Sequence, residues 1–353
     1  MGHHTVAVIP GDGIGPEIVE SALDVVRAAS GNSLDIVVEE AGADHYLATG
    51  EVLSAAALER ITSSYDAVLK GPVGRPDVRN PDGTEAGVLS GILRGALDTY
   101  ANVRPVATMG GGPGRIDYVI VRENTEGLYA SRGLGVGNDR VRVDQLLVTR
   151  EGVERVVSYA FRVAASRHGA PADGVRRVTC VDKSNVLRSH AFFRAVFTEV
   201  AQEFPGIEAD YRYADAAGHD LVAAPGRFDV LVMENFLGDI LSDVGAATVG
   251  GLGMCPAGNI GDARAYFEPV HGSAPGLAGS GTANPTAQIL AAAMMLDHLG
   301  EHAAAEAVRR AVTEVFTQGL ITLLPSGCPA GGTKEVTRAV TGVMARHGSP
   351  AAG

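Results

Sequence analysis

The chain contains no tryptophan, only three cysteines and no long apolar run. Cys180, Cys255 and Cys328 lie far apart and form no CxxC pair, which excludes a disulfide framework and fits a reducing cytoplasm. Every apolar run is far shorter than the roughly 20 residues that span a bilayer, so we expect no membrane partner. The opening MGHHTVAVIP has no basic segment followed by an apolar run, and we expect no signal peptide.

Acidic side chains outnumber basic ones: the chain has 41 Asp and Glu and 29 Lys and Arg, which gives a formal net charge of −12. No Lys/Arg cluster occurs, so we expect no nucleic acid partner. The hydrophobic fraction of 46% and the charged fraction of 20% are ordinary for a globular protein. A length of 353 residues exceeds one typical core and predicts about two domains.

Strand-like and helix-like segments alternate along the chain. TVAVIP reads as a buried strand and PEIVESALDVVRAAS as the following helix, with Pro16 in its first turn. Later segments repeat this pattern, which predicts an α/β fold with a largely parallel sheet. No low-complexity linker interrupts the chain, which favours domains that share a continuous sheet. Residues 131–149 differ, because Gly-rich turns precede an alternating run and indicate an extended excursion or hairpin arm.

The glycine-rich loop GDGIGPE follows the first strand and precedes the first helix. Glu39, at the end of the next strand, lies at about the distance expected for a ribose-binding acid in a dinucleotide fold. However, the spacing of Gly11, Gly13 and Gly15 brings the third glycine too early, and Pro16 follows it. We therefore favour a tight turn between strand and helix over a Rossmann fingerprint.

An apolar helix pattern, ENFLGDILSD, places Asp239 and Asp243 one turn apart on the same face. One interpretation is a solvated helix edge. The other is a site for a hard dication such as Mg²⁺ or Mn²⁺, which would offset the repulsion between two partly buried carboxylates. A third acid, Asp215, opens a helix after the strand-like IEADYRY and supports the metal interpretation.

Three arginines stand where they can bind carboxylates. Arg94 lies on a helix, Arg104 just beyond it, and Arg122 at the end of the apolar run DYVIV, with Tyr129 in the loop that follows. Arginine forks bind carboxylates through two hydrogen bonds, although for each arginine taken singly a structural ion pair is the commoner case.

Polar residues also follow the strand at 175–181, which delivers Asp182, Lys183 and Asn185 to its carboxyl end, where open α/β sheets bind their ligands. Lys183 is either a solvated side chain or a desolvated one used for proton transfer. Residues 267–285 form a long loop of small residues with one histidine, which is either a plain loop or a wrap around a phosphate or an adenine.

Together, VRENTEGLY, DKSNVLRS, ENFLGDILSD and EPVHGSAP, in this order, resemble the β-decarboxylating dehydrogenases. That family includes the isocitrate, homoisocitrate, 3-isopropylmalate, tartrate and D-malate enzymes, and the likeness runs from IPGDGIGPE to GGTKEVTRAV. It implies an α/β fold that is not a Rossmann fold. A large cofactor-binding domain would comprise residues 1–99 and 251–353. A small domain, residues 100–250, would form the interface of a cytoplasmic homodimer through an arm at about 131–149.

The resemblance also implies a role for each site residue. Tyr129 and Lys183 are the expected catalytic acid and base. The expected ligands for Mg²⁺ or Mn²⁺ are Asp239 and Asp243 of one subunit and Asp215 of the partner subunit. Lys183 is likewise expected to come from the partner subunit. The residues expected to bind a hydroxy di- or tricarboxylic acid are Ser90, Arg94, Arg104, Arg122 and Asn185. The residues expected to bind the dinucleotide are Glu268, His271, Gly272, Ser273, Ala274, Pro275, Gly276, Leu277 and Asn284.

Two features of the family pattern bear on specificity. Gly276 stands where NAD enzymes carry Asp and NADP enzymes carry Lys, while Leu277 and Ala283 resemble the NAD pattern, so we expect NAD with NADP as the alternative. Val88 and Ser90 stand where isocitrate enzymes carry Ser-x-Asn. The segments LKGPVGRP and YANVRPV favour an isocitrate- or homoisocitrate-like substrate.

Several alternatives stay open for the substrate and the role. The substrate alternatives are 3-isopropylmalate, tartrate, D-malate and a specialised malate analogue. A non-catalytic regulatory subunit is disfavoured, because such subunits lose active-site residues and this chain keeps Tyr129, Lys183 and the three aspartates.

Overall fold

The computed structural model describes residues 3–31, 33–80, 83–110 and 114–348. Its strands are β1 (His4–Ile9), β2 (Leu34–Val38), β3 (Ala67–Lys70), β4 (Ala101–Ala107), β5 (Asp117–Glu123), β6 (Val136–Asn138), β7 (Val141–Val143), β8 (Arg177–Asp182), β9 (Glu208–Tyr213), β10 (Val230–Met233), β11 (Pro256–Ile260) and β12 (Ala265–Pro269). Its helices are α1 (Gly15–Ser30), α2 (Ala43–Thr49), α3 (Ala55–Ser63), α4 (Ser90–Ala96), α5 (Arg150–Ser166), α6 (Arg188–Ala201), α7 (Ala214–Ala223), α8 (Asn235–Ala247), α9 (Thr286–His298), α10 (His302–Thr317) and α11 (Thr333–Arg346). None of the helices in this described part has both the length and the apolarity to cross a membrane.

The chain divides into two compact units. The first comprises Met1–Leu97, Gly250–Gly258 and Asp262–Gly353, and the second comprises Asp98–Val249 and Asn259–Gly261. The cofactor and interface roles that we expect for two such domains stay predictions.

The first unit is a parallel α/β layer with strand order β2-β1-β3-β12. Apolar side chains of β1 are fully buried because helices cover this sheet, and α1 packs against α9 and α11. The amphipathic pattern of α1 buries Ile18, Ala22 and Val26 and leaves charged residues outside.

The second unit has strand order β4-β5-β10-β8-β9. Strand β4 runs antiparallel to β5, while the other pairs are parallel, so this sheet is mixed rather than purely parallel. Helix α8 packs against β4 and β5. The α/β architecture expected from the alternating pattern is confirmed.

Residues 131–149 contain a two-stranded antiparallel hairpin, in which β6 pairs with β7 and Val136 lies opposite Val143. Both strands are exposed along their whole length. The role of this hairpin as a dimer arm stays a prediction.

The GDGIGPE loop is a tight turn packed against two neighbouring loops of the first unit. Gly11 and Gly13 have positive φ angles of 77° and 60°. A Cβ atom at Gly11 would overlap the carbonyl oxygen of Pro72, and one at Gly13 would overlap that of Ser273. The glycines therefore allow close approach of backbone to backbone, and the buried Asp12 carboxylate accepts protein amides rather than facing an open groove.

Candidate active site

Two buried arginines project from neighbouring strands of the second unit. Asn102 of β4 lies directly opposite Arg122 of β5 in the antiparallel register. Residues two apart on a strand share a face, so Arg104 points to the same side as Asn102 and Arg122. Arg104 is 5% exposed and Arg122 is 1% exposed. The sheet therefore brings two positive charges together away from bulk water.

Helix α8 covers these arginines and supplies their acceptors. Arg122 donates from Nε at 3.1 Å and from Nη2 at 2.6 Å to Asn235 Oδ1, and from Nη1 to Asp239 Oδ1. Helix and strand approach closely here because Gly238 faces Arg122: a Cβ at this position would lie 2.6 Å from Arg122 Cβ.

Asp239 is the point where the predicted residues meet. Its Oδ1 accepts from Arg122 and lies 3.3 Å from Arg104 Nη1, and its Oδ2 accepts from the Tyr129 hydroxyl at 2.9 Å. Asp243 follows one turn later on α8 and is exposed. Desolvation raises the pKa of Asp243, and the charge of Asp239 adds to the rise while both arginines oppose it. Four residues singled out in the sequence thus lie together, with a second carboxylate beside them.

A buried set of asparagine side chains supports Arg104 and was missed from the sequence. Arg104 Nε donates to Asn102 Oδ1 at 3.0 Å, and Asn102 Nδ2 donates to Asn259 Oδ1 at 2.9 Å. Asn124 Nδ2 donates to the same Asn259 oxygen at 2.9 Å. The two-residue spacing of Asn102 and Arg104 was a usable signal, because it places both on one face of a strand.

Lys183 and Asp215 form a separate pair in the second unit. They follow the adjacent parallel strands β8 and β9, whose register aligns Asp182 with Tyr213. Lys183 Nζ lies 2.8 Å from Asp215 Oδ1, and this hydrogen bond lowers the pKa of Asp215. Asn185, in the same turn, is exposed.

The three predicted metal ligands do not gather within one chain. Over residues 3–31, 33–80, 83–110 and 114–348, no three His, Cys, Asp or Glu side chains are arranged so that they could hold a metal ion. Asp239 and Asp243 therefore act as a pair on α8, while Asp215 lies with Lys183. The contribution of Asp215 across a subunit interface stays a prediction.

Helix α4 of the first unit carries Ser90 and Arg94, which are one turn apart and therefore lie on the same flank. Leu89 and Leu93 are fully buried in the core of this unit, so they cannot line a ligand surface. Gly91 is open, since a Cβ there would meet no atom within 4 Å.

The residues predicted to bind the dinucleotide lie in the first unit, mostly in the loop after β12. Glu268 Oε2 lies 2.6 Å from Nζ of the fully buried Lys70, an ion pair that we did not predict. Ser273 Oγ donates to the Gly74 carbonyl at 2.5 Å, which joins this loop to the one after β3. The exposed members of the predicted set are Gly272, Ala274, Pro275, Gly276 and Leu277.

Two further residues of this predicted set have protein partners. Desolvation lowers the pKa of His271, and its Nδ1 lies 2.9 Å from the Gly272 carbonyl oxygen. The Asn284 side chain is engaged at both ends, because Oδ1 accepts from Thr286 and Nδ2 donates to the Gly327 carbonyl. Asn284 therefore stabilises the start of α9.

Comparisons with known proteins identify the family of this chain. Residues 5–340 match the family described as isocitrate/isopropylmalate dehydrogenase. A Methanocaldococcus jannaschii protein named 3-isopropylmalate/3-methylmalate dehydrogenase is 44% identical over 90% of this chain and 93% of its own. A 3-isopropylmalate dehydrogenase from Thermobifida fusca is also 44% identical, over 88% of this chain and 90% of its own.

Solved structures give the same result for the fold. An isocitrate dehydrogenase from Methylococcus capsulatus is similar with a TM-score of 0.85 and 39% identity, over 97% of this chain and 99% of its own. A β-decarboxylating dehydrogenase from Thermococcus kodakarensis has a TM-score of 0.82 and 38% identity, over 97% of this chain and 96% of its own.

The curated names do not support the isocitrate-like preference that we expected from the sequence, because both relatives are named for 3-alkylmalates. The fold and reaction class that we expected are confirmed. This chain belongs to the isocitrate/isopropylmalate dehydrogenase family and is a β-decarboxylating dehydrogenase that acts on a CH–OH group.

Proposed function

We propose that this protein catalyses the NAD-dependent oxidative decarboxylation of a 3-alkylmalate, such as 3-isopropylmalate or 3-methylmalate, to a 2-oxo acid and CO₂. The observation that carries the proposal is the cluster of Arg104, Arg122 and Tyr129 around the single carboxylate of Asp239. The charges of Arg104 and Arg122 balance those of Asp239 and the neighbouring Asp243, and a dication held by the two carboxylates would add the positive charge that suits a dicarboxylate substrate.

Helix α4 bears on the side group of the substrate. Arg94 and Ser90 share a flank, and Gly91 beside them is open. Isocitrate enzymes bind a third carboxylate through Ser-x-Asn, and Val88 and Ser90 stand there instead. A third carboxylate would lack one of its two polar partners, and an unpaired buried charge is costly. An uncharged alkyl group avoids that cost, which agrees with the names of the curated relatives.

The proton transfers fall to Lys183 and Tyr129. Lys183 Nζ serves as the base for the 2-hydroxyl proton while C2 loses hydride, and the C3–carboxylate bond then breaks to release CO₂. Tyr129 donates its phenolic proton to C3, which completes the 2-oxo acid. When bound, the nicotinamide supplies the hydride acceptor and the dication supplies Lewis-acid stabilisation.

Asp239 and Asp243 are the residues that would hold Mg²⁺ or Mn²⁺. They offer hard oxygen ligands one turn apart on α8, which suits these ions. Two carboxylates alone would leave the ion incompletely coordinated, and oxygens of the substrate and of Asp215 from a second copy would complement them.

NAD is proposed over NADP because nothing in the exposed turn at Gly276 and Leu277 supplies a positive charge for a 2′-phosphate. NADP enzymes of this family usually carry Lys at the position of Gly276. A glycine also lacks the carboxylate that would bind ribose hydroxyls, so discrimination between the two dinucleotides should be modest.

A homodimer with shared active sites is proposed from two observations. Lys183 and Asp215 form a pair of their own, apart from the Asp239 cluster, so the described part of one chain does not assemble the three acids expected to hold the metal. The hairpin exposes Leu134, Val136 and Val141, an apolar surface that a second copy would cover. Cys180 and Cys255 are buried and Cys328 is partly buried, which fits a cytoplasmic location.

The test is turnover followed at 340 nm with purified protein, NAD or NADP, and Mn²⁺ or EDTA. The substrate panel comprises 3-isopropylmalate, 3-methylmalate, isocitrate, homoisocitrate, tartrate and D-malate. We expect NAD reduction with a 3-alkylmalate at a kcat/KM at least about tenfold above that for isocitrate, equivalent to about 1.4 kcal/mol. EDTA should abolish turnover, and Mn²⁺ should restore it.

A matched variant tests the substrate assignment separately. Val88→Ser combined with Ser90→Asn installs the polar pair of isocitrate enzymes and should shift the preference towards isocitrate. Higher kcat/KM for isocitrate in the unmodified protein would contradict the 3-alkylmalate assignment. EDTA-insensitive turnover would refute the metal role of Asp239 and Asp243.

A further inference from the structure

His190 folds back from the first turn of α6 onto the turn that carries Lys183. The Lys183 backbone N–H donates to His190 Nδ1 at 2.8 Å, and His190 is only 3% exposed. A ring nitrogen that accepts a hydrogen bond must keep its lone pair, so the neutral ring carries its proton on Nε2.

Further hydrogen bonds, to the Lys183 carbonyl and to the Asp182 carboxylate, also hold the turn that carries Lys183. The Lys183 carbonyl accepts from the amides of Val186 and Leu187 at 3.0 and 2.9 Å. Asp182, just before, accepts from the Ser184 amide at 2.8 Å and from two nitrogens of Arg194 at 2.7 and 2.9 Å. The bond to His190 thus fixes the remaining backbone donor of Lys183, and with it the direction in which the side chain leaves the turn.

The surroundings keep the ring of His190 neutral. Burial lowers its pKa, and the charges of Glu234, which caps α8, and Asp182, at the end of β8, only partly oppose this. Arg194 on α6 and Lys183 itself are the nearby cations. A second ring proton would direct N–H against the Lys183 N–H, so the hydrogen bond requires the neutral form.

The unpaired Nε2 atom of His190 indicates that a histidine is present here because of the hydrogen bond at Nδ1. Within the described part of the chain, His190 Nε2 is buried and has no hydrogen-bond partner. A buried, unsatisfied donor destabilises a fold, and an apolar side chain of similar size would avoid that penalty. Packing alone therefore does not explain a histidine here.

We propose that His190 is a positioning residue for the proton transfer assigned to Lys183, because its Nδ1 anchors the backbone from which the lysine side chain reaches Asp215. This proposal rests on the proposed function. His190 touches neither substrate nor cofactor in this assignment, and it acts only through the geometry of the Lys183 turn.

Two substitutions separate the hydrogen bond from packing. In His190→Asn, the amide Oδ1 takes the place of Nδ1 and accepts the Lys183 amide. In His190→Leu, the volume is kept and the acceptor is lost. We expect His190→Leu to lower kcat about tenfold, equivalent to about 1.4 kcal/mol, to shift the pH profile of kcat, and to leave the KM for NAD unchanged. His190→Asn should stay within about twofold of the unmodified enzyme, with its pH profile restored.

Amide hydrogen exchange of the peptide spanning residues 182–187 gives a readout independent of turnover. Protection should fall in His190→Leu and be kept in His190→Asn. An unchanged kcat and pH profile in His190→Leu would overturn the proposal. Equal losses of kcat and of melting temperature in His190→Leu and His190→Asn would show that His190 serves packing alone, and this result would also overturn the proposal. If the unmodified protein turns over no hydroxy acid, the proposed function fails and the positioning role with it, whereas the exchange data still report the hydrogen bond.

Discussion

The side-chain amides of Asn102 and Asn259 meet at 2.9 Å although 157 positions separate them in the chain. Asn259 belongs to a three-residue segment, Asn259–Gly261, through which the chain returns to the second unit. Its Oδ1 accepts from both Asn102 and Asn124, which fixes the orientation of the amide of Asn102. The Oδ1 of Asn102 is thereby presented to Arg104 Nε.

This network predicts that Asn102→Ala weakens binding of the hydroxy acid. Arg104 would lose one acceptor, and a hydrogen bond to a charged group contributes about 1.5 kcal/mol, or roughly tenfold in affinity. We expect the KM for the hydroxy acid to rise about tenfold while the KM for NAD stays constant. Steady-state kinetics would measure both. Asn124→Ala removes a hydrogen bond to Asn259 but no acceptor of Arg104, and it serves as the matched variant with a smaller rise. Equal rises in the KM values for the hydroxy acid and for NAD would contradict a specific role.

The close approach of α8 to Arg122 predicts that Gly238→Ala is destabilising. The added Cβ would lie 2.6 Å from both Cβ and Cγ of a fully buried side chain. Overpacking of this kind costs about 1–3 kcal/mol, and we expect that loss in the free energy of unfolding measured by urea denaturation. Gly342→Ala in α11 is the control. A Cβ there meets no atom within 4 Å, so it should stabilise by up to about 1 kcal/mol. Similar effects of the two substitutions would contradict the packing argument.

The exposed turn at residue 276 predicts an engineered cofactor preference. A Cβ at Gly276 meets no atom within 4 Å, so Gly276→Asp is accommodated without strain. A carboxylate here would accept hydrogen bonds from ribose hydroxyls and repel a 2′-phosphate. We expect the ratio of kcat/KM for NAD over NADP to rise about tenfold, or about 1.4 kcal/mol. Gly276→Lys should move the ratio the other way; a shift in the same direction would remove residue 276 from cofactor recognition.

The Glu39 carboxylate predicts a pH-dependent contribution to stability. It accepts two hydrogen bonds from Arg60, each 2.7 Å long, and one from the Tyr65 hydroxyl at 2.5 Å. The bonds to Arg60 lower the pKa of Glu39 from its ordinary value of 4.5 although burial opposes them. The folded pKa is below the unfolded one, so the stabilisation is present above pH 4.5 and is lost as the pH falls through the folded pKa.

We therefore expect Glu39→Gln to unfold about 2 kcal/mol more easily than the unmodified protein at neutral pH. The difference should shrink when urea denaturation is repeated well below pH 4.5. Exposed Glu40 is the control, and Glu40→Gln should change stability little at either pH. A constant difference for Glu39→Gln across this pH range would show that its charge is not the cause.

Local patterns were sufficient to find most of the helices and strands and most of the charged site residues. Arg122 and Lys183 were identified because each directly follows or ends an apolar strand, and Asp239 with Asp243 because they break an apolar helix pattern. Strand β4 was not among the predicted strands, since Pro105 in its centre removes a backbone donor and argues against a strand.

Contacts between distant segments were not predictable from the sequence. Nothing local marks Asn259 as the acceptor for Asn102, or Glu268 as the partner of Lys70, because each pairing depends on how the strands are ordered. The Asp239 carboxylate was expected to serve only a metal, whereas the structure also gives it two arginines and a tyrosine.

The burial of Lys70 against Glu268 has a practical consequence for chemical labelling. The chain has only three lysines, at positions 70, 183 and 334. Lys70 is 1% exposed, so an amine-reactive reagent applied to the folded protein would meet only two lysine side chains, Lys183 and the surface residue Lys334. The label recovered at Lys183, normalised to that at Lys334, would then measure occupancy of the active site directly by mass spectrometry.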